Sequence, residues 1–98
     1  MEERELYEKK QRARLEEWEA ELDKVKARVS KAGADAQLSL KRRLEELERK
    51  VQEGRSRLEE LTEAGESRWE AARERIDTAL EALKVGLAEA RQELDRDE

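Results

Sequence analysis

Cysteine and histidine are both absent from the 98 residues. Without cysteine there is no disulfide, no zinc thiolate and no thiol nucleophile. Without histidine the commonest general base and the commonest neutral metal ligand are gone. The Glu-x-x-His pattern of bundle di-metal centres cannot be built either. Glycine is sparse: Gly33, Gly54, Gly65 and Gly86 stand alone, so no phosphate-cradling loop is present. Catalytic residues, cofactor ligands and metal ligands are therefore all expected to be none, and the chain reads as a non-enzyme.

Other shortages narrow the class further. Proline and phenylalanine are missing, and the aromatics are Tyr7, Trp18 and Trp69. No run approaches the roughly 18 apolar residues of a membrane span. The charged start, Met1 to Glu5, does not read as a secretory leader. A cytoplasmic protein is the expectation. No charge sign dominates: 22 basic residues face 27 acidic ones, and no segment is strongly basic. A non-specific grip on nucleic acid is not expected. The acidity collects in the last third, ending in Asp95, Asp97 and Glu98, which reads as a frayed, solvated end. The later amphipathic stretch is acidic, so anionic lipid would repel it, and membrane-surface binding is disfavoured.

What remains is charge and helix formers. Half of the chain is charged, and alanine, glutamate, leucine, lysine and arginine dominate. Apolar and small residues recur at helical spacing: Tyr7, Gln11, Leu15, Trp18, Leu22, Val25, Val29, Ala32, Ala36, Leu40, Leu44, Leu47, Val51, Gly54, Leu58 and Leu61. Tyr7, Trp18, Val29, Leu40 and Val51 are each eleven residues apart, a nearly straight helical repeat. Acid-before-base pairs four apart, such as Glu45 with Arg49 and Glu53 with Arg57, lie off this stripe. Arg-Leu-Glu-Glu recurs from Arg14, Arg43 and Arg57, a coiled-coil vocabulary rather than a solenoid period.

The stripe breaks clearly once. Gly65 suits the left-handed cap that ends a helix, and Ser67 opens a Ser-x-x-Glu capping box with Glu70. A second stripe follows on Trp69, Ala72, Ile76, Leu80, Leu83, Leu87, Ala90 and Leu94. The favoured architecture is all-α: an antiparallel coiled-coil hairpin in one domain, residues 1–98. Its first helix covers about 3–63, the turn 64–67, and the second helix about 68–95. A turn near Gly33 would give a three-helix bundle instead. The stripe passes Gly33 without a phase gap, which favours the hairpin.

A first helix near 58 residues would be about 87 Å long, and the returning arm about 45 Å. Tyr7, Leu15, Trp18, Leu22, Val25 and Val29 would then lie bare, which soluble chains avoid. The hairpin thus predicts an antiparallel homodimer with those six residues at its interface. Trp18 and Trp69 read first as core, and second as anchors for a partner helix.

The stretch from Tyr7 to Ala27 resembles a family of small bacterial coiled-coil proteins. The likeness rests on Tyr7, on Leu15 to Asp23 with Trp18 in it, on the alanine-rich segment Ala32 to Ala36, and on Ser67 followed by Trp69. Gly33 departs from the family's Ala/Lys-rich middle. The resemblance implies a coiled-coil protein with a link to stress response and no established catalytic or ligand residues. The expected function is a self-associating structural or interaction protein; a monomeric three-helix binding module and a peripheral lipid-associated helix protein are the alternatives.

Overall fold

The computed structural model describes residues 2–97. It contains three α-helices and no strand among those residues: α1 (Glu3–Lys31), α2 (Ala34–Glu63) and α3 (Glu66–Asp97). They stack as an up-down-up bundle, 50 × 22 × 16 Å overall. The long first helix over 3–63 is not formed: the chain turns at Ala32 and Gly33. The three-helix arrangement is the one that fits.

Both turns are the same dipeptide. Ala32 (φ −79°, ψ 166°) and Gly33 (φ −65°, ψ 165°) separate α1 from α2. Ala64 (φ −66°, ψ 130°) and Gly65 separate α2 from α3. In each, the alanine N–H bonds back three residues, to the Val29 carbonyl at 3.0 Å and the Leu61 carbonyl at 3.4 Å. The Gln37 side chain then donates to the Ser30 and Ala32 carbonyls at 3.3 and 3.0 Å, satisfying acceptors that the end of α1 leaves open.

The expected cap at the second turn is different in detail. No glycine among the described residues has positive φ, so Gly65 makes no left-handed cap. The chain instead leaves α2 through extended backbone at Ala64. Helix α3 starts at Glu66, which puts Ser67 inside its first turn and not at the cap of a box with Glu70. The acidic end is helical through Asp97, and Leu94 there is buried.

The stripe itself holds at every position. Leu15, Leu22, Val25 and Val29 of α1, Leu40, Leu47, Val51 and Leu61 of α2, and Ala72, Ile76, Leu80, Leu83, Leu87, Ala90 and Leu94 of α3 form one buried core. Tyr7, Trp18, Leu44, Leu58 and Trp69 pack half-buried against it. Each fully buried aliphatic side chain contributes about 1.5–3 kcal/mol. Two helix-interior glycines set the closeness of the packing. A Cβ on Gly54 would lie 3.1 Å from Leu15 Cδ1, and one on Gly86 would lie 2.7 Å from Leu47 Cδ2. Among the described residues one polar side chain, that of Gln11, is buried; its Oε1 accepts from the Arg14 guanidinium at 2.9 Å.

Candidate interaction surface

The three seams of the bundle differ in how they close. The α1–α3 seam is laced by Arg14 to Asp77 (3.0 Å) and Glu81 (3.6 Å), Arg91 to Glu21 (3.0 Å) and Arg28 to Asp95 (2.9 Å). The α2–α3 seam is closed by Arg43 to Glu89 and Glu93, both 2.9 Å, and by Arg75 to Glu60 at 3.8 Å. Burial alone would lower the Arg43 pKa, but the hydrogen bonds it donates to Glu93 and Glu89 outweigh burial and raise it. Of the acid-before-base pairs singled out along the helices, Glu53 with Arg57 closes, at 3.5 Å. Most of the other ion pairs reach across seams instead, since helices this close offer interhelical partners.

The α1–α2 seam carries a surface groove beside its ion pairs. A groove of about 900 Å³ runs between these helices, floored by Leu22 and Val51 and walled by Glu19, Asp23, Glu45, Arg49 and Arg55. Towards the first turn it continues over Val29 and Leu44 to Leu38, sharing Lys26, Glu45 and Glu48 with the first stretch. Leu38 is 73% exposed, the most exposed large apolar side chain among the described residues. Two ion pairs bridge the groove: Arg55 to Glu19 at 2.9 Å, and Lys26 to Glu48. The hydrogen bond to Glu19 and its charge hold the Arg55 pKa above the ordinary value. Four other charges on the walls, Asp23, Lys41, Glu45 and Arg49, make no ion pair or hydrogen bond among the described residues.

An aromatic cluster closes the far end of the bundle. The Tyr7 and Trp69 rings meet edge to face at 5.5 Å. Arg73 lies over both, 4.6 Å from the Tyr7 centroid and 5.6 Å from that of Trp69, and Arg4 covers Trp69 at 5.6 Å. The Arg4 guanidinium also donates to the Ala64 carbonyl and, at 3.3 Å, to the Leu61 carbonyl. This ties the start of α1 to the end of α2. The cluster is filled by the chain's own side chains.

The six residues expected at a dimer interface all pack within the three-helix bundle of one chain. Leu15, Leu22, Val25 and Val29 are buried, and Tyr7 and Trp18 pack against the core. They come together on one face of α1, but that face is covered by α2 and α3. The bare stripe from which pairing was inferred is therefore absent. Gly65 lies in the second turn, with Ser67 and Glu70 exposed in the first turns of α3. Leu38 and the groove walls carried no signal in the sequence, because Leu38 falls off the stripe. Among the described residues, no group of three or more carboxylates is placed to hold a metal ion. No helix among them is long and apolar enough to cross a membrane.

No protein-family model, curated protein or solved structure matches this chain.

Proposed function

We propose that this protein is a non-enzymatic helical interaction module whose α1–α2 groove seats one amphipathic helix of a protein partner. The observation that carries the reading is the groove's composition. Its floor is apolar, over Leu22, Val51, Val29 and Leu44, and the walls hold Asp23, Lys41, Glu45 and Arg49 without a partner among the described residues. A helix laid there would bury Leu38 and meet both charge signs, the helix-in-groove mode of recognition. The ligand's own pattern follows: apolar residues at i, i+3, i+4 and i+7, flanked by acidic and basic side chains. The link to stress response implied by the family resemblance belongs to the same reading, as an adaptor without chemistry of its own.

Leu38→Glu tests it, with Val85→Glu as the control. Leu38 overhangs the groove, whereas Val85, 49% exposed, lies on α3 away from it. Peptides selected from a display library of amphipathic helices should bind the wild-type chain and the Val85→Glu variant alike. Binding to Leu38→Glu should fall about tenfold or more, as for a buried anchor residue. No selectable peptide, or equal loss in both variants, would reject the groove.

Self-association is the second reading, with the face that α2 and α3 cover in one chain covered instead by a second copy; the eleven-residue register from Val29 to Leu40, in phase for one helix through the first turn, favours it.

A further inference from the structure

The first turn is two bond rotations away from being helix. Ala32 and Gly33 have φ of −79° and −65°, already close to the helical value of about −63°. Only their ψ angles, 166° and 165°, depart from it. Neither residue obstructs a helix: one is alanine, and a Cβ on the other would meet nothing within 4 Å. No proline guards the turn.

The packing registers agree with the change. Val29, the last buried residue of α1, and Leu40, the first of α2, are eleven residues apart. That is three turns of 3.67 residues, so a fused α1–α2 helix keeps both on one face, with Ala32 and Ala36 between them. The second turn is held differently. Arg4 donates to its Leu61 and Ala64 carbonyls and packs on Trp69, whereas the first turn is tied by the exposed Gln37 side chain.

We propose that two copies of the chain exchange α1 through the Ala32–Gly33 hinge, forming a domain-swapped dimer. Each α1 leaves its own α2–α3 pair and docks in the same seat on the other copy. Every core contact of Leu15, Leu22, Val25 and Val29 is remade between chains, as are the Arg4 bonds to the second turn. The bonds given up are those of the first turn, and helical backbone bonds across the hinge replace them. The partner is a second copy because the α2–α3 seat that α1 fills here is repeated, contact for contact, on every copy of the chain. The inference stands apart from the groove: a groove that holds no peptide leaves the hinge as it is.

The test unfolds the full chain in urea, refolds it at micromolar and at millimolar concentration, and reads mass by light scattering after gel filtration. Wild-type protein refolded at the higher concentration yields a dimer that persists on dilution. Gly33→Ala raises the dimer association constant roughly thirtyfold, because alanine favours a helix interior over glycine at each of the two hinges. Gly33→Pro abolishes the dimer, since proline fits the present φ but removes a bond from a continuous helix. Leu38→Glu leaves the dimer unchanged, which separates a swap from pairing through the groove. A Gly33→Ala chain no more dimeric than wild type, or a Gly33→Pro chain that dimerises as readily, overturns the proposal. So does a dimer lost in Leu38→Glu.

Discussion

Leu47 Cδ2 lies 2.7 Å from where a Cβ on Gly86 would stand, so the α2–α3 contact is closed onto a missing side chain. Alanine at 86 gains about 1 kcal/mol of helix propensity, set against displacing one flexible leucine methyl. Gly86→Ala should therefore change stability little. Gly86→Val has no such room and should cost about 1–3 kcal/mol by overpacking. Urea unfolding followed by circular dichroism measures both. A Gly86→Val chain as stable as wild type would show that the two helices are not this close.

Arg4 fastens α1 to the second turn by donating to the Leu61 and Ala64 carbonyls and covering Trp69. Charged hydrogen bonds are worth about 1.5–3 kcal/mol when buried, and the side chain here is 33% exposed. Arg4→Ala should thus lower the unfolding free energy by about 1–2 kcal/mol, with an unchanged denaturant slope. Arg4→Lys should restore part of it, because lysine keeps the charge and loses the fork that spans two carbonyls. Amide exchange at the start of α1 should quicken in Arg4→Ala before the rest of the chain responds.

Trp18 contributes area rather than a hydrogen bond. Its indole Nε1 is buried without a partner, as is that of Trp69. Trp18→Phe removes the unpartnered N–H together with some ring, so its cost should stay below about 1.5 kcal/mol. Trp18→Ala removes the whole ring from a half-buried site and should cost about 2–3 kcal/mol, at the low end for such truncations. Thermal unfolding of the two variants decides: equal losses would mean that Nε1 has a partner.

Gly33→Pro separates the bundle from the hairpin. Position 33 has φ −65°, and Ala32 before it is extended, as a residue preceding proline must be. The bonds that close the turn come from Ala32 N and Gln37 N, so proline at 33 removes neither. Stability should hold or rise by about 0.5–1 kcal/mol. In a continuous helix over 3–63 the same change would cost about 3 kcal/mol or more.

The stripe was fully legible in the sequence; the first turn was not. All sixteen stripe positions from Tyr7 to Leu61 face inwards in the bundle, buried or half-buried. Periodicity reports which residues avoid water, and an eleven-residue step from Val29 to Leu40 looks the same whether the chain between them is helix or turn. The readable sign lay elsewhere, in the recurrence of Ala-Gly at 32–33 and 64–65, each followed within two residues by an acidic side chain. At the second turn, Gly65 marked the right place for the wrong reason. The groove was illegible because Asp23, Glu45 and Arg49 read as any solvated face. Which polar residues wall a cleft depends on how far two helices splay, and that is settled by packing across the whole bundle.

Small-angle scattering from dilute protein measures the chain's folded length directly. A bundle that turns at Ala32 and Gly33 gives an 11.5 kDa particle with a radius of gyration close to 15.6 Å. A rod about 87 Å long, the length of an unbroken first helix, would contradict it.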